Sequence, residues 1–149
     1  MDDTCALCGS LGGELIWQDS VCRVVLVAGA EQLAFPGFCR VIWNQHFAEM
    51  SDLSPTQMQH LMTLVMAVER VLRRLLHPDK INLASLGNVV PHLHWHIIPR
   101  WRDDSHFPSP IWAKPNDGVS LAPTRKSVSC ATLSAALADE LKALKVIAP

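Results

Sequence analysis

Tyrosine is absent from the 149 residues, and only 18% of them are charged, with a net charge of -1. So small a net charge gives no electrostatic case for binding a nucleic-acid polymer. Any phosphate recognition must then come from local arginines, imidazoles and backbone amides. Long hydrophobic runs are also missing: the longest, VVLVAGA, is far too short to span a bilayer, so no membrane partner is expected. The N-terminus, MDDTCALCGS, is acidic and polar and does not read as a secretory signal. Five cysteines are an odd number, and Cys22, Cys39 and Cys130 stand alone. That usage suggests a reducing cytoplasm rather than a disulfide framework. Internal repeats and low-complexity tracts are absent too.

What is present suits a folded chain, since 49% of the residues are hydrophobic. The length fits one domain over residues 1–149, with its core in about 5–100 and an irregular loop and C-terminal helix in 101–149. ELIWQ (Glu14 to Gln18) and VCRVVLV (Val21 to Val27) read as strands broken at Asp19-Ser20. AGAEQLAFPG reads as a connection with a Pro36-Gly37 turn, and FCRVIW (Phe38 to Trp43) as a third strand. Ser54, Pro55 and Gln57 form an N-cap, first-turn proline and capping box. Met58, Leu61, Met62, Val65, Val68, Leu72 and Leu75 follow at helical spacing, and His77-Pro78 ends the helix. INLASL and LHWHII read as two more strands. Ser129 to Ile147 reads as an amphipathic helix with Leu133, Leu137, Leu141 and Leu144 on one face. The order predicts an α+β fold with a mostly antiparallel sheet of about five strands.

The stretch PHLHWHIIPR places His92, His94 and His96 at alternate positions. On a strand they share a face, while Leu93, Trp95 and Ile97 point to the core. His92 and His96 would lie ~13 Å apart along the backbone, and a Zn–N bond is only ~2.1 Å. One ion therefore cannot hold all three, and the rings are expected to have different partners. Gly87, Asn88 and Val89 precede this strand as either an anion-binding loop or an ordinary turn. Cys5 and Cys8 form a Cys-x-x-Cys pair that can be redox-active, metal-binding or incidental.

HLHWHII resembles the His-x-His-x-His motif of the histidine-triad (HIT) family of nucleotide hydrolases and transferases. PGFCRVIWNQHFAEMSDLSPTQMQHL and INLASLGNVVPHLHWHIIPR are similar to that family's strand, long helix and phosphate loop, so about Cys5 to Arg100 is covered. The resemblance implies a HIT-like fold, with one long helix packed on the sheet and a C-terminal helix. It also implies that His94 is the nucleophile toward the α-phosphorus, forming a nucleotidyl-histidine, and that His96 handles phosphate or leaving-group oxygen. Gly87, Asn88 and Val89 would bind substrate, with Asn82 and Arg100 as further candidates. Arg100 reads otherwise as a surface arginine, and His106 as a solvated loop residue. Diadenosine polyphosphates and nucleoside phosphoramidates are the substrate classes implied, and a homodimer is possible. Some members of the superfamily complete a structural zinc site with two histidines, which here implies Cys5, Cys8, His46 and His92. Such an ion would not be required for chemistry at His94.

The chain departs from the family at Asn88, where glutamine is common, and at Phe38, where many members carry histidine. Glu31 is the acidic candidate for ribose, or a solvated loop residue. Two other functions compete: a catalytically weak nucleotide-binding regulatory module, and a metal-dependent hydrolase using triad histidines as ligands.

Overall fold

Short apolar segments separated by polar breaks fold into an antiparallel sheet covered on one face by helices. The computed structural model describes residues 5–118, 125 and 127–144. Its first elements are helix α1 (Ala6–Gly9), strands β1 (Glu14–Gln18) and β2 (Cys22–Leu26), helix α2 (Ala30–Ala34) and strand β3 (Cys39–Trp43). A 3-10 turn at Met50–Asp52 leads into α3 (Pro55–Leu76), followed by β4 (Lys80–Ala84), β5 (His94–Arg100) and α4 (Cys130–Ala143). The sheet order is β1-β2-β3-β5-β4, antiparallel at each pairing. The strand carrying the histidines thus lies inside the sheet, between β3 and β4.

The capping box forms as its residues dictate: Ser54 Oγ accepts from the Gln57 amide, and the Ser54 amide donates to Gln57 Oε1. Two backbone donors that the helix cannot satisfy itself are thereby paired. α3 then buries Leu61, Leu64, Val65, Val68, Val71 and Leu72 against the sheet. Each such side chain contributes roughly 1.5–3 kcal/mol on burial. Leu133, Leu137 and Leu141 of α4 join the same core. Cys39, Val41, Trp43, Leu93 and Ile97 face these helices, and Trp95 packs against their cluster. By the period of two, Arg40, Ile42, His94 and His96 face the other side of the sheet.

Beyond shifts of one or two residues at strand ends, three differences from expectation matter. AEQLA forms the short helix α2 instead of irregular chain, entered through Gly29 at φ 76°. Helix α4 ends at Ala143, and Leu144 is exposed instead of continuing the apolar face; residues 145–149 lie outside the described residues. β5 starts at His94, which leaves His92 in a bend ahead of the strand. No helix among the described residues is long and apolar enough to cross a membrane.

Candidate active site

His94 and His96 pair on β5, while His92 lies ahead of the strand. His94 Nδ1 lies 2.6 Å from the carbonyl oxygen of His92. A carbonyl can only accept, so Nδ1 carries the hydrogen and Nε2 keeps a lone pair. His96 Nε2 lies 3.1 Å from His94 Nε2, with the ring centroids 4.7 Å apart. With the His94 tautomer fixed, His96 Nε2–H is the donor of that pair. Burial lowers the pKa of His94, the bond to His92 O opposes it, and the Arg40 charge adds to the lowering. His96 is pushed down to about 3, first by burial and then by the charges of His94 and Arg40. Both rings are therefore neutral at pH 7, and a neutral imidazole is the nucleophilic form.

Both rings line a cleft of roughly 520 Å³. Gly87, Asn88 and Val89 are in its wall, as are Arg40 and Trp112. Gly87 needs its left-handed φ of 74° to make the turn, a conformation strained for other residues. Trp112 stands edge-on to His96, 5.1 Å between centroids.

His92 faces a different set of partners. Its Nε2–H donates to the Trp43 carbonyl at 2.6 Å, which leaves the Nδ1 lone pair toward Cys5 Sγ and Cys8 Sγ, each at 3.5 Å. Cys8 Sγ is 3.3 Å from His46 Nδ1. The four donor atoms lie within 4.8 Å of one another. Bonds of ~2.3 Å to sulfur and ~2.0–2.1 Å to nitrogen in a tetrahedron put S and N about 3.5 Å apart. The cluster thus matches a four-coordinate Cys2His2 metal site, with the His92 tautomer set by an outer hydrogen bond as such sites require. The His92 carbonyl meanwhile holds His94, so one residue joins the cluster to the candidate nucleophile.

Residues 15–103 match the family model described as HIT domain. The chain belongs to the HIT family. AP-4-A phosphorylase of Mycobacterium tuberculosis is 28% identical over 78 residues, covering 48% of this chain and 40% of that protein. Bis(5'-nucleosyl)-tetraphosphatase (asymmetrical) of Schizosaccharomyces pombe is 32% identical over 74 residues, covering 46% of this chain and 41% of that protein. The matches span about two fifths of the length of these curated relatives. A solved histidine triad protein from Bradyrhizobium japonicum superposes with a TM-score of 0.65 at 28% identity, covering 85% of this chain and 90% of that one.

Three expected residues of this HIT domain sit elsewhere. Arg100 is neither at the surface nor in the cleft wall; it is 1% exposed. Its donors go to both Asp104 oxygens at 2.7 and 2.8 Å, to Asn82 Oδ1 at 2.8 Å and to Ser109 O at 2.9 Å. Asn82 accordingly serves Arg100 rather than the cleft beside His94. His106 is buried, not solvated, with its ring against Phe35 and Nδ1 2.8 Å from Ser105 Oγ. Together these residues brace the loop that carries Trp112. Phe38 is fully buried with its ring 5.6 Å from His96, and His96 Nδ1 has no partner among the described residues. Glu31 pairs with Arg40 at 3.3 Å. Arg40 and Trp112 are site residues that the sequence did not reveal. Asp104 was likewise unseen, though its place four residues after Arg100 was a readable signal.

Breaking the Arg100–Asp104 pair is expected to destabilise the chain severely. Arg100→Met should cost about 3–5 kcal/mol in a denaturant titration, because it strands a buried carboxylate. Burial alone would raise the Asp104 pKa, but hydrogen bonds from Arg100 and from the His106 and Trp101 amides, with the Arg100 charge, outweigh it and leave it lowered. The stabilisation is therefore complete above the unfolded value of ~3.9 and lost as pH falls through the lower folded value. Asp104→Asn should be less stable at neutral pH, and its stability should fall less steeply below pH ~4.

Proposed function

We propose that this chain is a nucleotide hydrolase or nucleotidyl transferase that works through a nucleotidyl-histidine on His94. The observation carrying this reading is the tautomer lock: His94 Nδ1–H bound to His92 O at 2.6 Å, with Nε2 beside a donor, His96 Nε2, at 3.1 Å. The names of the two curated relatives support a dinucleoside polyphosphate substrate; a nucleoside phosphoramidate is the other class. Gly87, Asn88 and Val89 would meet the phosphate oxygens through backbone amides and the Asn88 side chain.

The chemistry follows from these atoms. His94 Nε2 attacks the α-phosphorus, and the bond from phosphorus to the leaving oxygen or nitrogen breaks, its electron pair going with the leaving group. His96 Nε2–H, released from His94 by the arriving phosphate, gives a hydrogen bond to that atom as charge develops on it. The imidazolium charge on the nucleotidylated ring is offset by the His92 carbonyl through Nδ1–H. Water or another acceptor then attacks phosphorus, and the P–N pair returns to Nε2. A polyphosphate leaves as a stable anion, whereas an amine takes up a proton from solvent; the attacking water gives its proton back to solvent.

We assign zinc to Cys5, Cys8, His46 and His92, where it would be a structural ion with all four positions filled by protein. A single domain, a homodimer and a cytoplasmic location belong to the same proposal. Phe38 and the unpartnered His96 Nδ1 favour a second reading, a nucleotide-binding module with weak turnover. A metal-dependent hydrolase is less favoured: among the described residues, neither group of three or more potential metal ligands includes His94 or His96.

The test is turnover of a fluorescent adenosine phosphoramidate and a diadenosine polyphosphate, measured during a brief exposure to chelator. Turnover per folded molecule should persist, since no step needs an open metal site. Immediate loss with the fold intact supports metal chemistry, and binding without turnover supports the module.

A further inference from the structure

We propose that Arg40 binds the leaving group, and that its fixed charge beside His96 directs this cleft toward nucleotides whose leaving group is an anionic phosphate chain. The proposal rests on the His94 reading and names its substrate class. Arg40 on β3 is directly opposite His96 on β5. Cross-strand partners share a face with their Cβ atoms about 4.5–5.5 Å apart, so the guanidinium starts beside the ring that would meet the leaving atom.

Among the described residues lining the cleft, Arg40 is the one arginine or lysine, and no carboxylate stands beside it in the wall. A departing polyphosphate brings several negative charges to this wall. An amine leaving group makes no such demand. Arg40 is therefore the group whose contribution depends on the kind of bond being broken.

Its donors are also held loosely. The contacts to Gly12 O and Glu31 Oε2 are both 3.3 Å, beyond the usual N–H···O range. Arg40 Nε is buried with no partner among the described residues. Arg100, by contrast, makes four bonds of 2.7–2.9 Å. The Arg40 guanidinium carbon lies 5.5 Å from the centre of the Phe38 ring, which helps fix the plane of the fork. Glu31 is about half exposed, and ion pairs of that kind contribute little. A phosphate can take the place of that carboxylate and receive two parallel N–H bonds.

The test titrates inorganic tripolyphosphate into the full chain by calorimetry, comparing wild type with Arg40→Gln, Arg40→Lys and, as a control on a distant helix face, Arg70→Gln. Arg40→Gln should weaken binding about 10- to 100-fold, the scale of charge-assisted bonds. Arg40→Lys should fall between, keeping the charge but losing the fork. Arg70→Gln should match wild type. The ratio of kcat/KM for diadenosine polyphosphate over phosphoramidate should drop in Arg40→Gln by a similar factor. Tripolyphosphate binding that is absent in wild type or equal in Arg40→Gln overturns the proposal. So does a proportional loss with both substrates, which is what mere bracing of Gly12 and Glu31 would give. Failure of the His94 reading looks different: Arg40-dependent binding persists while turnover is missing or insensitive to His94→Ala.

Discussion

Replacing His94 with alanine is expected to lower kcat/KM by at least about 10,000-fold, roughly 5.5 kcal/mol of transition-state stabilisation. On the proposed route the substitution removes the atom that would form the bond to phosphorus, and no neighbouring group can take its place. His96 Nε2 lies within 3.1 Å, but its hydrogen is committed to donation and its other nitrogen is buried away from a partner. His96→Ala should cost less, about 100- to 1,000-fold, as expected for a hydrogen-bond donor to developing charge. The loss should be larger for an amine leaving group than for a polyphosphate. The two variants should unfold at nearly the wild-type denaturant midpoint, because both rings line the cleft rather than the helix-covered core. A His94→Ala protein that unfolds early makes its lost activity uninformative, and His94→Asn then serves instead.

The second large effect is expected at the cysteine cluster. Cys8→Ser should abolish stoichiometric zinc in the purified protein and lower stability by more than about 4 kcal/mol, the linkage from a site filled a thousandfold above its Kd. For a chain of this size that is a fall in Tm of roughly 10 °C or more. Prolonged dialysis against chelator should reproduce the fall, and added zinc should reverse it. Activity should decline with the folded fraction and no further, because His94 keeps its bond to the His92 carbonyl wherever the fold survives. Metal analysis and a thermal melt on the same samples measure both halves. A wild-type protein with full stability and no bound metal contradicts the assignment.

Much of this is legible in the sequence, wherever local rules act alone. The Ser54–Gln57 box and the leucine and valine spacing behind it placed α3 to within a residue, since capping and period depend only on nearby sequence. Leu93, Trp95 and Ile97 revealed the core side of β5 by alternation. The regular strand stops short of His92: the chain bends there, and the ring meets Cys5 and Cys8. Arg40 stayed hidden for a different reason. One arginine amid Cys39, Val41 and Ile42 says nothing of which strand it will face, and only the β3–β5 register puts it opposite His96. The loop after Arg100 has no periodicity to read. Its order comes from Asp104 gathering Arg100 and several backbone amides, and that order carries Trp112 to the cleft. Long-range pairing, which sequence spacing does not encode, accounts for each of these misses.

The most direct measurement is mass spectrometry of the protein quenched within milliseconds of mixing with a diadenosine polyphosphate. The expected result is one nucleoside monophosphate attached to the peptide containing His94, labile in acid, stable in base and absent from His94→Ala. Attachment to another residue, or steady turnover with no protein-bound nucleotide at any quench time, contradicts a covalent route through His94.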